Sequence, residues 1–151
     1  MAEMSIASPA FEEGGPIPEK YGYSFDNVNP PLAFYDLPEG TESLALIMDD
    51  PDAMEPAGKV WDHWVVWNIK PTEGIPEDWD VADAVEGEND YGEMGYGGPQ
   101  PPDKQHTYIF RLYALDTRLD LPAGSGKEEL EEATKGHVLA KARMTGTFKP
   151  S

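Results

Sequence analysis

Hydrophobic and polar positions along this chain recur with the period of strands far more often than with that of helices. The run SLALIM, residues 43–48, stays apolar over a strand's length and stops at DDPDA, which predicts a buried strand. In VWDHWVVWNI, residues 60–69, strict alternation puts Trp61, His63, Val65, Trp67 and Ile69 on one face and Asp62, Trp64, Val66 and Asn68 on the other. Both faces are largely apolar, so this strand is predicted to be central. HTYIFRLYALD, residues 106–116, is the clearest strand, with His106, Tyr108, Phe110, Leu112 and Ala114 sharing a face. The pattern changes to a helical one only in KEELEEATKG, which predicts a short helix closed by Gly136. HVLAKARMTGTF then alternates again, with Val138, Ala140, Ala142 and Met144 on one side, and predicts a final strand.

Between these segments the pattern is weak. Residues 1–42 read as irregular edge strands and turns. Residues 71–95 hold many acids and no basic residue, and without a period they are expected to form a long exposed excursion. The 15 glycines and 15 prolines are spread throughout, as many short strands joined by turns require. One domain over residues 1–151 is expected, of the all-β class.

Charge narrows the set of partners. The chain has 11 Lys plus Arg against 29 Asp plus Glu, a formal net charge of −18, which disfavours nucleic acid and anionic membrane surfaces. An anionic ligand would need a local site. The scattered acids resemble those of haloarchaeal cytosolic proteins, so a salt-loving source is expected, with self-repulsion screened in molar salt. No cysteine is present, which removes disulfide and thiolate chemistry. Neither a secretory leader nor a membrane span is visible, so a cytoplasmic location without integral membrane association is expected. The four tryptophans offer aromatic surface for a homodimer interface, which is also expected.

Three segments carry candidate chemistry. DDPDA puts Asp50 and Asp52 just past a buried strand, and Pro51 between them is expected to force an extended turn that points the two carboxylates apart. An Asx-type turn capping the strand end is the plainer alternative. His63, between tryptophans, reads first as a buried histidine satisfied by one hydrogen bond. YGGPQPPDKQHTY, residues 96–108, reads first as a turn, and second as a rigid rim around an anion, with backbone N–H groups of Gly97 and Gly98 exposed and His106 aimed by the strand that follows.

Taken together, DDPDA, WDHWVVWNI and GYGGPQPPDKQHTYIFRLYALD resemble the phosphatidylethanolamine-binding protein family, in its short prokaryotic Raf-kinase-inhibitor-like branch. SPAFEEGGPIPEKY, NPPLAF and KGHVLAKARMTGTF extend the resemblance nearly end to end. It implies a two-sheet antiparallel β-sandwich with one short helix towards the C-terminus and long loops. It also implies a shallow pocket for phosphate-like groups and phospholipid head groups. Carried over by position, the ligand-binding residues are Asp50, Asp52, Trp61, His63, Gly98, Pro99, His106 and Tyr108. His137 matches no pocket motif. Met54, Asn29 and Lys104 depart from the family's proline, serine and glycine; Lys104 would either add charge at the rim or narrow the loop.

Two functions follow from these residues. The first is a module that binds phosphate, a phosphorylated head group or a carboxylate, with no cofactor and no catalytic residue, and so modulates a signalling or metabolic protein partner. The alternative is a hydrolase using Asp50, His63 and His106, with or without a metal. The motifs contain no assigned nucleophile, and the strand-end ligands lack a helical metal-binding arrangement, which favours binding.

Overall fold

A computed structural model describes residues 3–81 and 83–150. Its centre is the SLALIM run, which forms β3 (Ser43–Asp50) and is buried at every residue. It lies between β4 (Trp61–Ile69) and β7 (His106–Leu115) in an antiparallel sheet of five strands ordered β6-β4-β3-β7-β8, where β6 is Val85–Glu86 and β8 is Val138–Phe148. A second antiparallel sheet, ordered β1-β2-β5, consists of Ser5–Ala7, Leu32–Tyr35 and Gly74–Ile75. Among the described residues, helix comprises α1 (Met54–Ala57), entered through a 3-10 turn at Pro51–Ala53, α2 (Lys127–Thr134) and a 3-10 turn at Glu19–Tyr21. The chain is thus a two-sheet antiparallel all-β fold with short helices at its edges.

The main core lies between the sheets, where Ile6, Leu32 and Phe34 meet Leu44, Leu46, Met48, Trp64, Val66, Phe110 and Leu112. Alternation in β7 follows the sequence pattern and buries His106, Tyr108, Phe110, Leu112 and Ala114, but a register shift in β8 between Ala140 and Val138 turns Val138 to the α2 side, away from Ala140, Ala142 and Met144. The outer face of the large sheet is covered by α2. Ala45, Ile47, Val65 and Trp67 pack there with Leu130. Lys127 at the start of α2 reaches Asp62 at 2.9 Å and the buried Asp49 at 3.4 Å, and Arg111 pairs with Asp49 at 3.2 Å. Charges leaving water on that face are therefore matched.

Three further expectations need correction. β4 does not alternate strictly, because two steps along β3 (Leu44 to Leu46) span three along β4 (Ile69 to Val66), and one step of β3 (Met48 to Asp49) spans two of β4 (Trp64 to Asp62). Each β-bulge inserts an unpaired residue and reverses the facing that follows. The first bulge, with Asn68 at φ +56°, puts Ile69 in the main core with Trp64 and Val66 rather than with Val65 and Trp67. The second frees His63 from the α2 side. Residues 71–95 are not an open excursion: they supply β5 and β6, and Asn29 fixes them by accepting from the Trp79 N–H (2.8 Å) and donating to the Pro76 carbonyl (3.0 Å). The DDPDA turn is helical rather than extended. Asp50 is itself extended (φ −127°, ψ 96°), as a residue before proline should be, and its Oδ1 accepts the Asp52 N–H at 2.9 Å.

Candidate functional site

The β4 bulge, the 3-10 turn after β3 and the start of β7 meet at one end of the large sheet. Asp50 closes β3, Trp61 pairs with it across the ladder, and His106 opens β7. There they line a cavity of about 200 Å³ together with His63 and Tyr108. Its remaining wall comes from Ala53, Pro56 and Ala57 of the helical turn, Tyr91, and Gln100, Pro101 and Pro102 of the proline loop.

His63 is buried, and its Nδ1 lies 2.7 Å from the Gly97 carbonyl. A carbonyl only accepts, so Nδ1 carries the proton and Nε2 presents a lone pair. Burial drives the ring's pKa down to about 4, against the pull of the Gly97 and Gly98 carbonyls and the carboxylates of Asp90 and Asp49. At neutral pH His63 is therefore a neutral acceptor.

His106 is the opposite case. Nδ1 lies 2.6 Å from Asp50 and Nε2 lies 2.7 Å from Asp103, so both nitrogens donate to carboxylates and the ring is an imidazolium. Burial opposes that charge, but the two carboxylates outweigh it and hold the pKa above its ordinary value. Burial likewise pushes Asp50 up, against the pull of His106.

Tyr108 lies between the two histidines, with ring centroids 5.2 Å from His63 and 6.3 Å from His106. It is fully buried, and its hydroxyl has no hydrogen-bond partner among the described residues. Burial first, then the nearby Asp50 carboxylate, keeps the phenol protonated far beyond neutral pH. An unpaired buried hydroxyl costs about 1–3 kcal/mol.

Five of the eight sequence-assigned residues thus line one cavity: Asp50, Trp61, His63, His106 and Tyr108. Asp52, Gly98 and Pro99 do not. Asp52 accepts the Thr107 N–H at 2.8 Å and ties the helical turn to β7, and the Pro99 carbonyl accepts the Tyr23 N–H at 2.9 Å. The glycine N–H groups are not free for an anion: Gly97 donates to the His63 carbonyl at 2.9 Å, and Gly98 donates to Asn27 at 2.7 Å. Glycine is required at 98 for a different reason, since a Cβ there would collide with the Tyr21 carbonyl and the backbone of Gly22 and Tyr23. Gly98→Ala should therefore lose about 2–3 kcal/mol of stability, the upper range for overpacking, because backbone cannot yield as a side chain does. Urea unfolding measures this, and a loss below about 0.5 kcal/mol would contradict the packing argument.

Lys104 has a negative φ, so the loop does not need glycine there, and its ammonium pairs with Glu55 of α1 at 2.9 Å. It neither narrows the loop nor adds free charge. Two residues absent from the sequence reading matter here. Asp103, three positions before His106, supplies the second carboxylate. Tyr91 stands edge-on to His63 at 5.7 Å, stacks on Tyr23 at 3.9 Å and donates to the Gly98 carbonyl at 2.7 Å. His137 is exposed, paired with Asp116 at 2.8 Å, and does not line the cavity.

Comparison with known proteins shows the family and the fold. A family model described as phosphatidylethanolamine-binding protein matches residues 7–149. A relative in Methanothermobacter thermautotrophicus is 45% identical, covering 97% of this chain and 99% of the relative. Another, in Chlamydia muridarum, is 43% identical over 97% and 99% of the two chains. Among solved structures, a phosphatidylethanolamine-binding protein homologue from Chlamydia trachomatis superposes with a TM-score of 0.94 at 40% identity, covering 100% of both chains. Escherichia coli YbcL, described as a member of the mammalian family, superposes at 0.90 with 31% identity, over 99% of this chain and 100% of that one.

Proposed function

Since the chain belongs to the phosphatidylethanolamine-binding protein family, we propose that its cavity binds a small phosphate-bearing molecule or head group reversibly, without chemically changing it. The observation that carries this reading is the Tyr108 hydroxyl, buried and unpartnered beside the neutral His63. A donor and an acceptor side by side suit an oxygen-rich group. The volume, about 200 Å³, lies below the roughly 300–1,000 Å³ of sites for drug-sized ligands, which suits a head group rather than acyl chains. Trp61, Tyr91 and the prolines supply rigid apolar walls, so little entropy is lost on binding.

Hydrolysis by Asp50, His63 and His106 has less support. Both nitrogens of His106 are engaged, and His63, with a pKa of about 4, is far from the neutral value that suits a general base. Among the described residues no serine or threonine lines the cavity.

Nuclear magnetic resonance tests the reading. Phosphoethanolamine should shift resonances of Trp61, His63, His106 and Tyr108 on one saturating curve, roughly millimolar or about −4 kcal/mol, as suits a few hydrogen bonds to a small ion. His137 should not move. No saturable shift up to tens of millimolar would withdraw the binding site.

A further inference from the structure

The polar groups of the cavity are an unusual set for an anion, because no lysine or arginine lines it. Its one cation, His106, is already flanked by Asp50 and Asp103. Two carboxylates around one imidazolium leave the neighbourhood with net negative charge, and an incoming dianion meets nothing to offset its second charge. The nearby lysines are engaged elsewhere, Lys104 with Glu55 and Lys59 with Asp90. The backbone amides of Gly97 and Gly98 are used within the fold.

At the wall Tyr108 holds a buried O–H with no partner among the described residues, and His63, whose Nδ1–H is fixed on the Gly97 carbonyl, is left with the lone pair of Nε2. A fully ionised oxyanion can accept from the tyrosine but has no proton to give the histidine, and two facing lone pairs repel. We propose that the cavity takes a phosphate monoester as its singly protonated monoanion, the remaining P–O–H donating to Nε2 of His63 while an anionic oxygen accepts from the Tyr108 hydroxyl. This rests on the phosphate-binding function given above and adds the protonation state that the site selects.

The titratable groups around this pair are consistent with it. His63 faces Tyr91 and Tyr108, with the carboxylates of Asp49 and Asp90 within electrostatic reach. Tyr108 faces His63, His106 and the Asp50 carboxylate. His63 stays neutral at pH 5 and above, and the tyrosines stay protonated to well above pH 8. Between those limits two protons can change place, the ligand's own, with a second pKa of about 6, and that of His106, and sulfate, whose binding can follow only His106, separates them.

Calorimetry of the intact protein at constant ionic strength tests this with two probes, methyl phosphate and sulfate, between pH 5 and pH 8. Methyl phosphate affinity should be constant near pH 5 and fall towards about tenfold per pH unit above about 6. At pH 8, titrations in two buffers of different ionisation enthalpy should show uptake of about one proton per ligand bound. Sulfate, which carries no proton in this range, should bind at least tenfold more weakly than methyl phosphate at pH 5. If sulfate matches methyl phosphate at pH 5, or methyl phosphate binds equally at pH 5 and pH 8 without proton uptake, the selectivity is wrong while phosphate binding stands. If neither probe binds at any pH, both fall.

Discussion

Replacing Asp50 with alanine is expected to cost about 3–5 kcal/mol of stability, the range for removing one partner of a buried ion pair. Asp50 is 3% exposed and lies 2.6 Å from His106, so alanine leaves a buried imidazolium with one of its two carboxylates. The Asp50 side chain also caps the turn into α1, a further contribution of about 1 kcal/mol. Asp103 makes a contact of similar length to the other nitrogen, 2.7 Å, but its side chain is 35% exposed. Water replaces much of what it gives, and Asp103→Ala should cost far less than Asp50→Ala. Asp50→Asn, which keeps an acceptor and the cap without the charge, should fall between them. Urea unfolding of the three variants checks the order, and equal losses for Asp50→Ala and Asp103→Ala would show that burial does not govern the pair.

The second large effect is a dependence of stability on pH with opposite slopes from the two buried histidines. His63 ionises at about 4 in the folded chain against 6.5 when unfolded, so acid favours the unfolded state. Stability should therefore fall as pH drops from about 6.5 to about 4, by roughly 3 kcal/mol from this residue at 1.36 kcal/mol per pH unit of displacement. His106 is raised, so its contribution is complete below its unfolded pKa near 6.5 and is lost as pH climbs through its higher folded value. Together they place the optimum close to neutrality. Other carboxylates titrate near pH 4 as well, so the informative quantity is the difference between the wild type and His63→Gln. That variant should lose the part of the acid slope between 6.5 and 4, and His106→Gln should lose the alkaline one. Parallel profiles for wild type and His63→Gln would mean that the ring is not held neutral.

What the sequence revealed and what it hid have physical causes. β3 and β7 were legible because a strand buried on both faces is continuously apolar and a strand with one buried face alternates; neither β3 nor β7 departs from those patterns. β4 was legible as a strand but not in its facing, since a bulge is a property of pairing between two strands and leaves no mark on one strand's residues. The cavity residues on strands, Trp61, His63, His106 and Tyr108, came from the motifs of the family resemblance. The loop residues did not. Gly97 and Gly98 suggested free amides, and only the fold shows their N–H groups engaged by His63 and Asn27. Asp103 stood in the quoted loop three positions from His106, a spacing from which their pairing could have been inferred. Tyr91 lay in an acidic stretch without period, where no local signal ties it to His63.

The Tyr108 hydroxyl is the centre of this account, and Tyr108→Phe tests it with one variant measured two ways. In the free protein the change removes a buried hydroxyl that has no partner, so stability should hold or rise by up to about 1 kcal/mol. Phosphoethanolamine binding should lose the hydrogen bond to a charged oxygen, about 1.5–3 kcal/mol, which from a millimolar start puts it beyond detection. Calorimetric titration beside thermal unfolding of the same sample gives both numbers. A variant as stable as the wild type and unable to bind is the predicted result; undiminished affinity, or a clear loss of stability, would show that the hydroxyl serves the fold and not a ligand.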